Sequence, residues 1–107
     1  MKSPNEELLT ILAQCATACN RCSIACLKEP DIKMMTECIR LDLDCAQMCS
    51  LTAAFVSRGS NHAKNLLKEC SEICKNCADE CGKHAQIEHC KVCAEACRIC
   101  SEACKAA

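Results

Sequence analysis

The segment CATACNRCSIAC, residues 15–26, places Cys15, Cys19, Cys22 and Cys26 at intervals of four, three and four. The same rhythm returns at Cys70, Cys74, Cys77 and Cys81, and it lengthens to five thiols at Cys90, Cys93, Cys97, Cys100 and Cys104. A further stretch is less regular. It holds Cys38, Cys45 and Cys49, with Leu41 or Asp42 where a fourth thiol would stand. On an α-helix, steps of three and four keep side chains on a single stripe. That stripe is the a/d seam through which bundled helices pack, so the chain is expected to fold as helices that turn sulfur inward.

The punctuation between these stretches agrees. Ser3, Pro4 and Glu6 form a helix start, with a hydroxyl N-cap, a proline at the first helical position and a carboxylate that can close a capping box. This predicts a first helix to about Leu27. Pro30 breaks the chain, and Asp31 or the proline itself opens a second helix that continues to about Ser57. In the link RGSN, Gly59 suits a left-handed C-terminal cap and Ser60 or Asn61 suits the next N-cap. The third helix is predicted to run to about Cys81 and to end at Gly82; after KHAQI the fourth carries Cys90 to Cys104. Links this short join antiparallel neighbours. The expected fold is all-α: one domain over residues 1–107, an up-down-up-down antiparallel four-helix bundle with a cysteine-lined core.

Composition excludes several function classes. Lys plus Arg number 13 against 14 Asp plus Glu, and Phe55 is the only aromatic residue, so neither a phosphate-attracting field nor a base-stacking platform is present. Nucleic acid is not an expected partner. The strongest apolar run, Leu8 to Ala13, is too short to span a bilayer and follows Glu6 and Glu7 instead of a basic leader. The expectation is a cytosolic protein with no membrane partner. Half of the chain counts as apolar only because 16 cysteines are included. In a reducing compartment, cysteine at this density points to metal or redox chemistry, not to a disulfide framework.

Three readings of the seam compete. Cysteine is a small hydrophobe, but a seam made almost wholly of it buries little area and leaves voids, so simple packing is a poor account. A disulfide-stapled structural bundle meets a geometric objection. Cβ atoms at i and i+4 on a helix stand about 5–6 Å apart, against roughly 3.8 Å in a disulfide, so no CxxxC pair can close on itself. Metal turns the same spacing to advantage, because two bonds of about 2.3 Å let the sulfurs stand up to about 4.6 Å apart. Soft thiolates select Cu(I), zinc or iron–sulfur clusters. Iron–sulfur ligands usually lie on turns at CxxC spacing, whereas these thiols lie on helices. If each thiolate bridges two Cu(I) ions and each ion takes two thiolates, the buried core is neutral at about one ion per cysteine. A fully bridged zinc cluster is neutral too, so a general zinc or cadmium thiolate buffer stays open. An enzymatic thiol oxidoreductase would need one activated cysteine with a resolving partner on a βαβ frame, and no strand pattern supplies one.

The stretches CIRLDLDCAQMC and ECGKH, followed by HCKVCAEAC, together with the repeated CxxxC seams, resemble the cytosolic bacterial copper storage proteins over essentially the whole chain. The resemblance implies storage or sequestration of multiple Cu(I) ions inside the bundle, all sixteen cysteines as ligands and association into homotetramers; with many equivalent thiols and no strand pattern, no enzymatic activity is expected. The departure is the second helix, with its three cysteines.

The two ends of such a bundle differ. One gathers Leu8, Leu9, Leu12, Leu51, Phe55, Val56, Leu66 and Leu67 and is expected to be a hydrocarbon plug. The other gathers Cys26, Met34, Met35, Cys38, Cys81, His84, His89 and Cys90. Thioethers and imidazoles also bind copper, so Met34, Met35, His84 and His89 are candidate ligands at a mouth. Met34 and His89 stand four residues before Cys38 and Cys93 and are expected near the seam; His62, at the plugged end, is expected to have no role. Asp42 occupies a seam position as a partly buried hydrogen-bonding residue or a ligand at the mouth, and the structural role is the favoured reading.

Overall fold

The computed structural model describes residues 4–107. Four helices follow one another: α1 Pro4–Cys26, α2 Thr36–Ser57, α3 Ala63–Gly82 and α4 Glu88–Ala106. Among the described residues there is no strand. Short links fold α1 on α2 and α3 on α4, and the two hairpins close through α2 against α3 and α1 against α4. The result is an antiparallel four-helix bundle 43 Å long.

The helix boundaries follow local chemistry. Pro4 opens α1, consistent with its fixed φ and missing N–H; the proposed Ser3 cap lies outside the described residues. Gly59 has φ 65° and takes the left-handed turn after α2, with the Ser60 N–H donating to the Phe55 carbonyl. Ser60 Oγ accepts the His62 N–H at 3.1 Å, but α3 begins at Ala63 with His62 at its N-cap and no side-chain cap, so neither Ser60 nor Asn61 caps it as expected.

The start of the second helix corrects the expectation. Asp31 makes no side-chain cap, and the first turn, Ile32–Met35, is a 3₁₀-helix that becomes α-helical at Thr36. A 3₁₀ turn advances about 120° per residue instead of about 100°, so α-helical spacing counted backward across the junction misplaces side chains.

Small residues let the helices approach. Ala16, Ala46, Ala78 and Ala94 are buried, and Ser71 and Ser101 exchange reciprocal hydroxyl-to-carbonyl hydrogen bonds of 2.8 Å between α3 and α4. Close approach of the backbones suits a core filled by side chains as short as cysteine.

Candidate metal centre

All sixteen cysteines are free and buried. The stripes read from spacing thus meet on the bundle axis as one continuous column. Within helices, the CxxxC sulfurs stand 3.8 Å apart at Cys22–Cys26 and at Cys70–Cys74, 3.9 Å at Cys93–Cys97 and 4.0 Å at Cys77–Cys81. Two metal–thiolate bonds of about 2.3 Å bridge such gaps without bending a helix. Between helices the approaches are as close: Cys38–Cys81 at 3.1 Å, Cys19–Cys97 and Cys45–Cys74 at 3.4 Å, and Cys15–Cys45 at 3.8 Å.

The bundle does more than pair thiols along each helix. Cys15, Cys49, Cys74 and Cys100 come from four different helices, and their sulfurs lie within 4.8 Å of one another. A second group joins Cys15, Cys19, Cys45 and Cys97, and a third joins Cys19, Cys77, Cys93 and Cys97. Cys15, Cys19 and Cys97 each belong to two of these groups. Cys70 reaches the column through Cys49 at 3.8 Å, and Cys104 is buried toward the plugged end. Such four-sulfur groups arise only when three or four stripes face one another, so spacing along one helix does not announce them.

Asp42, not Leu41, fills the gap in the second stripe. It is fully buried, and its Oδ1 accepts the thiols of Cys77 at 3.1 Å, Cys93 at 3.2 Å and Cys81 at 3.4 Å. Its carboxyl also joins Cys22, Cys38 and Cys81 in a mixed oxygen–sulfur group. Burial, and then the nearby charges of the Cys93 and Cys38 sulfurs, push its pKa up to about 8 from 3.8. Between those two values the native state keeps a proton that the unfolded chain has released. Stability therefore falls as pH rises through that window, and the cost is absent below it and complete above it. At about 1.4 kcal/mol per unit the cost amounts to a few kcal/mol. Urea unfolding of the reduced, metal-free protein at pH 5 and pH 8 should show this loss, and Asp42→Asn should flatten it. Equal pH slopes in the two proteins would refute the assignment.

Burial also raises two thiols at the end of the bundle that holds His89. Cys90 is pushed up to about 11, first by burial and then by the charge of Cys38, and Cys26 is raised by the same two causes. These sulfurs hold protons until something replaces them.

The four candidate mouth residues separate. His89 enters the sulfur cluster, its Nδ1 3.5 Å from Cys22 Sγ and 3.6 Å from Cys90 Sγ, and with Cys26 the three form a four-ligand group. Met35 is buried. Met34 is 62% exposed, which corrects its expected place near the seam: the 3₁₀ turn swings Met35, three residues before Cys38, inward in its stead. His84 is buried beside Glu80, with Nε2 3.4 Å from the carboxylate but without hydrogen-bond geometry, so among the described residues this ring nitrogen has no hydrogen bond. His62 is exposed.

At the other end Leu8, Leu12, Val56 and Leu67 are buried, and Leu9, Phe55 and Leu66 are half-buried. Leu51 is exposed and does not plug the bundle; Thr52 takes its place, fully buried. The α2 stripe runs 38, 42, 45, 49, 52, 56, and Leu51 stands one residue off it. The residue that spacing missed altogether is Glu29. Its carboxylate lies 3.1 Å from His89 Nε2, a contact across sixty positions of chain that no local signal foretells.

Comparison with known proteins gives the same picture. The copper storage protein family, Csp, matches residues 1–107. The Cu(I)-bound copper storage protein BsCsp3 is 36% identical, covers 97% of each chain and superposes with a TM-score of 0.92. A cytosolic copper storage protein from Streptomyces lividans, solved with five coppers, is 44% identical over 96% of this chain and 90% of its own, with a TM-score of 0.93. An uncharacterized cysteine-rich protein of Bacillus subtilis strain 168, YhjQ, is 37% identical over 94 residues, which is 88% of this chain and 86% of that relative. With its helix order, its inward-facing thiols and its whole length matched, the chain belongs to the copper storage protein family.

Proposed function

We propose that the protein stores multiple Cu(I) ions in the cytosol, as a single copper-binding domain over residues 1–107, holding them on the sixteen thiolates at about one ion per cysteine. The observation that carries this reading is the overlap of the four-sulfur groups. A sulfur shared by two groups serves two ions, which is what bridging thiolates around two-coordinate Cu(I) require, and one thiolate per Cu(I) leaves the buried column neutral. Each thiol surrenders its proton to the incoming ion, so loading releases protons and weakens as pH falls. His84, His89 and Met35 stand at the open end as weaker ligands through which copper passes inward, and Met34 lies exposed at its rim. Storage has no need of a catalytic group, and we read the protein as a non-enzyme that works as a homotetramer, the assembly implied by its likeness to the family.

One observation favours a second reading. A group such as Cys15, Cys49, Cys74 and Cys100 also suits tetrahedral zinc or cadmium. Stoichiometry separates the two. Anaerobic titration of the reduced protein with Cu(I) should reach a plateau near one ion per cysteine. A plateau near one zinc per four thiols, with weak copper binding, would replace copper storage with a general thiolate buffer.

A further inference from the structure

Glu29 sits in the link between α1 and α2, in a turn held by its own N–H donating to the Cys26 carbonyl at 3.2 Å. Its Oε2 lies 3.1 Å from Nε2 of His89, the second residue of α4. The other ring nitrogen, Nδ1, faces Cys22 Sγ at 3.5 Å and Cys90 Sγ at 3.6 Å. An ionised carboxylate only accepts hydrogen bonds, so Nε2 must carry the proton in this contact. Once the imidazole is neutral, the lone pair therefore lies on Nδ1 and points at the sulfurs.

We infer that Glu29 is a positioning residue for the metal path: it fixes the Nε2–H tautomer and the ring direction of His89, so that Nδ1 is presented to a cuprous ion arriving at Cys22, Cys26 and Cys90. Without the carboxylate the ring is free to carry its proton on Nδ1, which blocks that nitrogen as a ligand, or to turn away from the cluster. The alternative account is an ordinary ion pair. Both side chains keep more than a quarter of their surface in solvent, and pairs so placed add little to stability. A contact of small energetic value that sets a ligand's tautomer is expected to act on metal transfer and not on folding.

The inference rests on the proposal that copper passes through this end, and its test separates the two. Two-bond ¹H–¹⁵N correlation spectra of the reduced, metal-free protein should show His89 as the Nε2–H tautomer, with His89 assigned from the His89→Ala variant. Glu29→Ala should shift it toward a tautomer mixture, whereas Glu29→Gln, whose amide oxygen still accepts the Nε2 proton, should hold it. In stopped-flow uptake of Cu(I) from a chromophoric chelator, Glu29→Ala should slow loading about 10-fold, the order typical of removing a carboxylate behind a ligating histidine, and Glu29→Gln should recover most of the rate. Final capacity and urea midpoint should stay close to those of the unmodified protein in both variants. If Glu29→Ala leaves the His89 tautomer unchanged, or leaves uptake unchanged while His89→Ala slows it, the role of Glu29 is refuted. If His89→Ala itself does not slow uptake, the proposed entrance is wrong and Glu29 has no path to position.

Discussion

Replacing Cys15, Cys49, Cys74 and Cys100 by serine is expected to lower the Cu(I) capacity of the reduced protein by about four ions, while the helical bundle persists. The four belong to four helices and meet deep in the column, so the substitution removes one layer of soft ligands and takes one shared ligand, Cys15, from the neighbouring group, which keeps Cys19, Cys45 and Cys97. Serine is close to cysteine in size and keeps a hydroxyl for the hydrogen bonds that the thiols exchange, but its hard, protonated oxygen does not hold Cu(I). Replacement of Met34, Met35, His84 and His89 by alanine should do the opposite. The sixteen thiols remain, so capacity should change by no more than a few ions, whereas the rates of uptake and of chelator-driven removal should fall. Imidazole and thioether release copper more readily than thiolate does, and their place at the proposed mouth suits transfer better than retention. Anaerobic titration followed by metal analysis checks both sets. Undiminished capacity in the serine variant would mean that this group does not hold copper; a collapse to zero would mean that the layers do not fill independently.

Most of the bundle is legible along the chain because its seam is written in one residue type. The rhythm of four and three identifies the inward face of each helix, and the same rhythm, carried through residues without sulfur, selects Asp42 over Leu41 and Thr52 over Leu51. Leu51 was expected in the plug because leucine is apolar. Register decides otherwise, since a side chain one position off the stripe is turned about 100° away from the axis. Met34 fails for a related reason. Its α-helical offset from Cys38 crosses a 3₁₀ turn, where each residue rotates further, and Met35 takes the inward position. Two properties of the site lie beyond any local pattern. The four-sulfur groups need the stagger of three or four helices, and the contact of Glu29 with His89 joins the first link to the start of the last helix.

Copper is expected to raise the thermal midpoint of the protein by tens of degrees while leaving its helix content nearly unchanged. The two halves of that expectation have separate causes. Helix ends are set by Pro4, by the left-handed Gly59 and by the Ser60 turn, and the close helix contacts by buried alanines and by the Ser71–Ser101 bonds; none of these needs a metal. The metal-free chain should therefore be helical already. Its core is nevertheless thin: behind Leu12 and Met35, the largest fully buried side chains are Thr52, Asp42 and then cysteines, so hydrocarbon burial contributes little compared with a leucine-filled seam. Each ion that binds the native state more tightly than the unfolded chain adds stability, about 4 kcal/mol for one site at a free concentration a thousand times its dissociation constant. Thiols in the unfolded chain also bind copper and reduce the gain, but they lack the preset geometry of the column, and many sites contribute together. Circular dichroism of the reduced protein, anaerobic and with or without Cu(I), tests both halves. The 222 nm signal should differ by no more than about a tenth, and the midpoint should rise by more than about 20 °C. A coil that gains helix only with copper would place folding and metal binding in one step, as in zinc-finger modules, and would contradict a preformed store.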